Sequence, residues 1–467
     1  MAIMLAKTMD ANTSNNTEVW MEQILKKIEK LMLEHDAISP ELIKKKDIKL
    51  GLRNPDGSGV VAGITSKGIV IGYEKIPNPD GTHTVKPVEG KLYYCGYDAC
   101  ELAQRIQEEG RYGFDEITYL LLTGELPNKK DLERFEEVIA ERRPLTKLER
   151  AIIMQEDVNY NQMYALHSVI SHLSRCDPDP DSTDIKDVSR QCINIIAKAP
   201  VIIAYNYNVM KFRKGGDLFI TKPNPAWSTA ENFLYLLRGE RPDEYEAKLF
   251  DLALMLHAEH GGGNNSTFAV RTVTSSGANT YMALCAGVAS LSGHLHGGAN
   301  EAVMKMMKDI KQHVKDWNDD EEVEHYLKLM LEKKAYDRSG KIYGIGHAVY
   351  TKSDPRAIIF RQKAEEFAKM KKNLDEFNLF AKVADIGSRL VQKYKGTVAS
   401  PNVDFYSGLI YKMMGIPMEL FTPIFAMARF SGWSAHRIEQ IIHNKIIRPA
   451  YASSLDEFKE YIPLEKR

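Results

Sequence analysis

The chain has 467 residues, of which 44% are hydrophobic and 27% are charged, and its formal net charge is −1. This composition is typical of a soluble globular protein, and the balanced charge gives no reason to expect binding to nucleic acid or to a membrane surface. No apolar run approaches the roughly 20 residues that a membrane-spanning helix needs. The length exceeds what one compact core usually holds, so the sequence predicts two domains.

The first residues carry no clear targeting signal. Met1–Leu5 is apolar but lacks the basic flank and the long apolar core of a secretory signal, and the first arginine is Arg53. We therefore expect a cytoplasmic protein. The odd number of cysteines argues against a closed disulfide framework. Cys95 and Cys100 form a C-x4-C pair without a second pair, so no zinc site is predicted there.

Helical and extended patterns follow one another along the chain. Residues 17–34 place apolar side chains at helical spacing, which predicts an amphipathic helix. Residues 58–98 contain β-branched pairs separated by glycines, with a strong turn signal at 78–81, and predict two or three hairpin strands. From about Asp98 onward the pattern is helical almost throughout. The sequence thus predicts a mainly α protein with one minor β region.

Three features mark connections within this helical part. Residues 177–181 alternate aspartate with proline and predict an acidic loop, because that spacing forbids a helix. Ser228 with Glu231 three residues later has the pattern of a capping box at a helix start. Residues 308–334 carry many charges at helical spacing, which indicates an exposed lobe.

Three short motifs combine titratable groups with small residues. They read HLHGGAN (294–300), GIGHAVYTKSDPRA (344–357) and PNVDFYSG (401–408). Glycine lets backbone N–H groups and a substrate approach closely. Histidine can donate a hydrogen bond or accept a proton near neutral pH, and aspartate can act as a base. With Arg356 beside one of the histidines, these motifs indicate chemistry on an anionic carbonyl compound.

The chain resembles the Si-type citrate synthase family, which includes the 2-methylcitrate synthases. Further matching stretches are GKLYYCGYD (90–98), ITYLLLTGELP (117–127), AENFLYLLRGERPD (230–243), LHAEHGGGNNSTF (256–268) and RPAYAS (448–453). The resemblance implies a citrate synthase-like multi-helical fold. A large domain would comprise 1–297 and 404–467, and a small helical domain, 298–403, would close over the active-site cleft.

The resemblance also implies an activity. It is that of an acyltransferase of the tricarboxylic acid cycle, which condenses acetyl-CoA with oxaloacetate and water and releases citrate and coenzyme A. No cofactor or metal is expected, because coenzyme A is part of a substrate. A homodimer is expected, in which Arg448 reaches the active site of the partner.

Individual roles follow from the same resemblance. In catalysis, His296 would donate a hydrogen bond to the enolate oxygen, His347 to the ketone oxygen, and Asp404 would be the base. The residues implied for oxaloacetate are His260, His347, Arg356, Arg429 and Arg448. The residues implied for coenzyme A are Ile342, Gly344, Gly346, Asn402, Lys352 and Lys395.

Other interpretations of these residues stay open at this point. Asp404 has the sequence setting of a helix N-cap. His294 replaces a proline that is usual in the family and places a second ring near His296. His257 and His260 are three residues apart, which predicts that they face one side of a helix end. With Glu259 they look superficially like a zinc cluster, but they do not form the HExxH motif, and spacing suggests no third ligand beyond the two histidines.

Two alternative functions also stay open. A 2-methylcitrate synthase would use propionyl-CoA, and one methylene changes binding by only ~1–3 kcal/mol in a single pocket. A non-catalytic protein that binds coenzyme A or carboxylates would belong to a different class, but it would be expected to have lost part of the constellation, and every matched side chain is present.

Overall fold

The computed structural model describes residues 11–79, 83–155, 161–455 and 459–467. The chain forms two compact units, one of Met1–Val60 with Arg448–Arg467 and one of Val61–Ile447. The predicted domain division at residues 298 and 403 falls inside the second unit and stays a prediction. Among the described residues, every helix is too short or too polar to cross a membrane.

In its described residues, the unit of the two chain ends contains the α-helices α1 (Ala11–Glu34) and α2 (Pro40–Lys45). The predicted helix at 17–34 is therefore confirmed, and it begins earlier than the apolar pattern indicated. Ser39 caps α2 by accepting a hydrogen bond from the Leu42 N–H. The Lys46 ammonium group donates to the Ser453 carbonyl at 2.8 Å and so joins the two parts of this unit.

The unit Val61–Ile447 begins with a three-stranded antiparallel sheet in the order β1 (Gly68–Pro77), β2 (His83–Tyr94), β3 (Tyr97–Asp98). This confirms the predicted hairpin strands. Part of the predicted turn, residues 80–81, lies outside the described residues. The register of β1 and β2 shifts between Ile71 and Tyr73, as at a β-bulge, which bends the hairpin.

Helices make up nearly all of the rest, as the sequence predicts. Their bounds are α3 (Ala99–Glu108), α4 (Phe114–Thr123), α5 (Lys129–Arg142), α6 (Lys147–Ile153), α7 (Gln162–Leu173), α8 (Ile185–Arg213), α9 (Thr229–Arg238), α10 (Glu244–His257), α11 (Asn265–Ser275), α12 (Thr280–Leu291), α13 (Ala299–His313), α14 (Asp320–Leu331), α15 (Pro355–Met370), α16 (Leu374–Lys395), α17 (Val403–Met413) and α18 (Phe421–Ile442).

Local signals in the sequence mark several helix ends. Asp98 caps α3, and Ser228 forms the predicted capping box with Glu231 at the start of α9. Residues 177–181 form the predicted loop before α8. The acidic run at 319–322 begins α14, where carboxylates are favoured by the exposed N–H groups and the helix dipole.

Helix α18 is the centre of this unit. Its residues from Ala426 to Gln440 are all buried, and it packs against α4, α8, α10, α11 and α12. A helix that is buried on all sides belongs to the core of a large domain. It nevertheless carries Arg429, His436 and Arg437, and charged or polar groups buried in this way need partners.

The hairpin of β1 and β2 lies close against the loop that follows His347. A side chain at Gly72 would collide with the Val349 carbonyl, and one at Gly90 would collide with the Ser353 carbonyl. The Thr351 hydroxyl donates to the Gly72 carbonyl at 2.5 Å. The two glycines therefore allow backbone to lie on backbone, which fixes the loop between His347 and α15.

We expect Gly287→Ala in α12 to destabilise the protein. The added methyl group would lie 2.8 Å from the Val270 side chain and 2.9 Å from the ring of Trp433, where neither group can move easily. Overpacking of this kind costs about 1–3 kcal/mol, which outweighs the smaller gain in helix propensity. The matched control is Gly63→Ala, whose methyl group would meet no atom within 4 Å. Calorimetry should show a lower Tm for Gly287→Ala alone, and equal Tm values would contradict this account of the packing.

Candidate active site

Two of the three motifs are joined by backbone pairing. The Gly346 N–H donates to the Ser400 carbonyl at 2.8 Å, and the Asn402 N–H donates to the Gly344 carbonyl at 2.9 Å. The Asn402 side chain adds a third hydrogen bond, to the Gly346 carbonyl at 2.9 Å. This pairing brings the turn before His347 to the start of α17, where Asp404 lies.

The backbone determines which nitrogen of His347 carries the hydrogen. The N–H groups of Val349 and Tyr350 both donate to its Nδ1, at 3.0 and 3.1 Å. Nδ1 is therefore an acceptor, and in the neutral ring Nε2 carries the hydrogen. His347 thus presents an Nε2–H donor.

Asp354 links Arg356 to the start of α17 in the third motif. Its carboxylate accepts from Arg356 Nε at 3.0 Å and Nη2 at 2.8 Å, and from the Val403 N–H at 3.1 Å. It also caps α15 through the Arg356 N–H. All of these groups are buried. One carboxylate thus fixes both the guanidinium group and the first turn of α17.

Asp404 does not cap its helix. The N-cap of α17 is Asn402, whose Oδ1 accepts from the Asp404 N–H at 3.0 Å. The N-cap interpretation of Asp404 is therefore wrong, because the asparagine two residues earlier already fills that position. The Asp404 carboxylate makes no hydrogen bond to any described residue. Burial raises its pKa to about 6; Arg356 lowers the pKa and Asp354 raises it.

Arg429 is a buried cation with an unsatisfied donor. Its Nε donates to the His257 carbonyl at 2.7 Å, and its guanidinium group lies 4.7 Å from the centre of the Phe425 ring. Nη1 is buried and has no hydrogen-bond partner among the described residues. Burial lowers the pKa of Arg429 to about 10. An apolar setting with one N–H group unpaired is what a bound anion would complete.

The rings of His260 and His347 pack against each other. Their ring centres are 5.1 Å apart, and both rings contact the buried Tyr350. His260 Nε2 is buried without a partner among the described residues. Burial, followed by the positive charge of Arg356, holds the pKa of His260 well below its ordinary value, so the ring is neutral.

α10 ends at His257, so His257 and His260 do not share the face of a helix end as their spacing suggested. His257 Nε2 lies 3.0 Å from the Tyr411 hydroxyl. In the described part of the chain no group of three or more metal-ligating side chains is found.

His296 is oriented by Ser266. Its Nε2 lies 3.1 Å from the Ser266 hydroxyl, which also accepts from Trp433 Nε1–H at 3.3 Å. Burial and the nearby Arg429 lower the pKa of His296 to about 4, so the ring is neutral. His294, the unusual second histidine of this motif, is exposed and does not contact His296 through any described hydrogen bond.

The residues predicted for coenzyme A are found in two settings. Gly344, Gly346 and Asn402 meet in the paired turn described above. Ile342 is buried beside α16, near Gly387, whereas Lys352 and Lys395 are exposed. Contact of any of these residues with coenzyme A stays a prediction.

Six of the seven predicted catalytic and oxaloacetate residues belong to the same unit and act on one another electrostatically. They are His260, His296, His347, Arg356, Asp404 and Arg429. Arg448 is exposed and belongs to the unit of the chain ends, so its role stays a prediction. The six groups combine two cations, three histidines and one carboxylate with a raised pKa, which suits an anionic substrate and a proton transfer.

A family model described as citrate synthase, C-terminal domain, matches residues 66–450. The chain belongs to the citrate synthase family. This assignment covers the sheet, α18 and all six residues of the site.

Individual relatives agree with the family model. The citrate synthase of Haloferax volcanii is 34% identical over 411 residues, which are 86% of this chain and 98% of that protein. The crystal structure of citrate synthase from Thermotoga maritima is similar with a TM-score of 0.71 and 30% identity, over 90% of this chain and 99% of that one. The citrate synthase of Thermoplasma acidophilum, solved in a ternary complex with carboxymethyl coenzyme A and oxaloacetate, has a TM-score of 0.70 and 25% identity, over 90% of this chain and 99% of that one.

Sequence reasoning missed several residues that support the site. Asp354 was visible in the SDPRA segment, and Ser266 follows the glycine-rich stretch after His260, but neither has a spacing that indicates its partner. Tyr350 and Trp433 resemble ordinary core aromatics in the sequence. Their importance appears only when distant segments meet.

We expect Asp404→Asn to stabilise the folded protein at pH 8. The folded-state pKa of about 6 lies above the ordinary 3.8, so the cost of ionising this carboxylate develops as the pH rises from 3.8 and is complete above about 6. Because Asp404 is partly open to solvent, we expect a gain of about 1–2 kcal/mol, falling to about half at pH 5. Calorimetry at both pH values measures this, with the exposed Asp217→Asn as control. An unchanged or lower Tm at pH 8 would contradict the burial of an ionised Asp404.

Proposed function

We propose that this protein is a citrate synthase, which condenses acetyl-CoA with oxaloacetate and water to give citrate and coenzyme A. The observation that carries the proposal is a cluster in which two buried groups, Arg429 Nη1 and His260 Nε2, lack partners among the described residues. The same cluster contains the Nε2–H of His347 and the carboxylate of Asp404. These groups match a dicarboxylate with a ketone oxygen on one side and a weak carbon acid on the other.

Oxaloacetate would bind through its charges first. Arg356 and Arg429 carry permanent positive charge, and a guanidinium group fits a carboxylate at two positions. The neutral His260 would donate to the same anion, which completes its unpaired Nε2. His347 would donate from Nε2 to the ketone oxygen and stabilise the negative charge that develops there during attack.

The methyl group of the thioester must lose a proton, and no carboxylate removes it unless the enolate oxygen is stabilised in the same step. Asp404 would take the proton, because its pKa of about 6 makes it a stronger base than an ordinary aspartate and still ionised at neutral pH. His296 would donate to the thioester oxygen. The Ser266 hydroxyl lies 2.8 Å from Asn264 Oδ1 as well as 3.1 Å from His296 Nε2, and it has one hydrogen to donate. When that hydrogen goes to Nε2, Nδ1 carries the hydrogen of the ring and can donate to the thioester oxygen.

The enol carbon would then attack the ketone carbon, and His347 would pass its Nε2 proton to the new alkoxide. The product of this step is a citryl thioester. Water then adds to the thioester carbonyl, the carbon–sulfur bond breaks, and citrate and coenzyme A leave. No electron acceptor is needed, so the reaction balances with the two substrates and water alone.

A homodimer is part of the proposal. Arg448 would enter the partner's active site and bind a carboxylate there, giving each site one arginine from across a two-fold interface. Arg448 is exposed in the isolated chain, and Pro449 after it favours an extended segment.

Thiol release in the presence of oxaloacetate tests the function directly. We expect turnover with acetyl-CoA that requires oxaloacetate and needs no added metal. The same assay with propionyl-CoA measures acyl preference, and a kcat/KM higher for propionyl-CoA would make the protein a 2-methylcitrate synthase. Absence of thiol release with both thioesters would leave a binding protein and refute the proposed activity.

We expect Asp404→Asn to lower kcat by about 10²–10⁴-fold, the contribution of a general base, while oxaloacetate binding changes little. In the wild type, the pH profile of kcat/KM for acetyl-CoA should have an acid limb, along which activity is lost as Asp404 becomes protonated. Its midpoint should be at about pH 6 or higher, because the negative charge of bound oxaloacetate raises the pKa of Asp404 further. Steady-state kinetics and calorimetric titration with oxaloacetate measure the two effects. A variant that keeps more than about a tenth of kcat under conditions where chemistry limits the rate would exclude Asp404 as the base.

Mixed dimers test the role of Arg448. Homodimers of Arg448→Ala and of Asp404→Asn should each be nearly inactive, but a heterodimer places both changes in one site and leaves the other site intact. Co-refolding equal amounts should recover roughly a quarter of wild-type activity, since about half of the dimers have one intact site of two. Refolding each variant alone is the control, and mass spectrometry of the intact dimers verifies exchange. A mixture that stays inactive despite exchange would mean that Arg448 does not act across the interface.

A further inference from the structure

The segment that ends at His260 is held on α18 by three successive contacts. Arg429 Nε donates to the His257 carbonyl at 2.7 Å, and the Gly432 N–H donates to the Ala258 carbonyl at 3.1 Å. His436 Nε2 lies 2.8 Å from Glu259 Oε1. Positions 429, 432 and 436 share one face of the helix. The first contact involves a residue of the site, whereas the third has no part in the mechanism above.

Glu259 is a buried carboxylate that is closely packed by its neighbours. Its side chain and that of His436 are both 0% exposed. A side chain at Gly432 would collide with Oε2, and the Gly261 N–H donates to Oε1 at 2.5 Å. Oε2 has no partner among the described residues. The groups that face this carboxylate are His436 and Arg429 from α18, whereas the Tyr94 hydroxyl from β2 is hydrogen-bonded to the main chain of Glu259.

The other nitrogen of His436 fixes its tautomer. Arg271 Nη1, which can only donate, lies 2.8 Å from His436 Nδ1 and 2.7 Å from Glu439 Oε2. Nδ1 must therefore accept, and Nε2 carries the hydrogen that Glu259 receives. Glu439 in turn accepts from the N–H and hydroxyl of Ser66, at 2.8 and 2.9 Å. A hydrogen on Nδ1 of His436 would face the N–H of Arg271, and two donors cannot form a hydrogen bond with each other.

We propose that His436 is a positioning residue, which holds the Glu259 carboxylate through a fixed Nε2–H and thereby sets His260 and Arg429 in place for the substrate. Glu259 precedes His260 directly and is a negative charge that acts electrostatically on Arg429, which has no carboxylate bonded to it among the described residues. Burial alone would raise the pKa of Glu259, but the hydrogen bond from His436, the charge of Arg429 and the hydrogen bond from the Gly261 N–H lower it, which keeps this charge in place. The inference rests on the proposed function in naming oxaloacetate as the substrate.

The test compares His436→Leu with His436→Gln. Leucine removes the donor, whereas the glutamine amide can donate to Glu259 and accept from Arg271. We expect the KM for oxaloacetate to rise about tenfold in the leucine variant, with kcat within about threefold of wild type. The acid limb of kcat/KM for oxaloacetate should also move to higher pH, because Glu259 without its donor protonates more readily. Glutamine should restore both quantities to within about threefold of wild type.

Further variants separate positioning from general damage to α18. Ser434→Ala, a buried change two residues away, should leave KM and the acid limb unchanged. Glu259→Gln should raise the KM for oxaloacetate on its own, and adding His436→Leu to it should change KM by less than about twofold, because His436 acts through Glu259. The Glu259→Gln variant also decides the matter if the leucine variant does not fold.

Several results would overturn the proposal. These are a wild-type KM in His436→Leu or in Glu259→Gln, equal losses in the leucine and glutamine variants, or a loss of kcat with KM and acid limb unchanged. The ¹⁵N spectrum of the histidine imidazoles gives a readout that needs no substrate. Signals that are present in the wild type and absent in His436→Gln belong to His436, and they should be those of an Nε2–H tautomer. A protonated or Nδ1–H ring would refute the arrangement even if the wild type proved inactive toward both thioesters, a result that would refute only the proposed function.

Discussion

The site depends on one electrostatic constraint: two guanidinium groups are buried where little water can reach them. Arg356 is balanced by a carboxylate that it binds with two nitrogens, whereas Arg429 has a carbonyl, an aromatic ring and one unsatisfied Nη1. A buried cation without a full set of partners is costly to the fold and favourable to an incoming anion. The unpaired Nη1 of Arg429 therefore lowers the stability of the folded protein, and a bound anionic substrate would restore it.

The same positive field sets the protonation of the histidines. Burial and the arginines together hold His260 and His296 neutral, and in a neutral ring the hydrogen sits on the nitrogen that does not accept a hydrogen bond. Two backbone N–H groups make that choice for His347. Donors aimed at a developing oxyanion need this kind of fixed orientation, because reorientation during the reaction would add to the barrier.

Burial also gives Asp404 its basicity, at the expense of stability. A carboxylate accepts a proton from carbon more readily when its pKa is high, and Asp404 reaches a pKa of about 6 because it has few polar partners. Asn402 leaves the carboxylate unused by taking over the cap of α17. Asp354 is a buried carboxylate of the opposite kind. It accepts hydrogen bonds from Arg356 and from the Val403 N–H and so holds both residues in place.

Local sequence patterns predicted most of the elements, because their causes are local. Hairpin strands at 58–98, the helical remainder, the capping box at Ser228 and the acidic loop at 177–181 depend on residues only a few positions apart. The functional residues were found by resemblance to a family, since the residues alone left Asp404 open as a helix cap. Spacing also suggested that His257 and His260 share a helix face, although α10 ends between them.

The sequence by itself therefore determined the mainly α architecture, the family and the chemical groups of the site. Only the tertiary structure decided which of these groups are neutral, which nitrogen of His347 and His436 carries a hydrogen, and which donors lack partners. Each of those properties depends on contacts between residues far apart in the chain, such as Glu259 with His436 or Asp354 with Val403. Desolvation and hydrogen bonding act through space, and a pattern of neighbouring residues does not contain them.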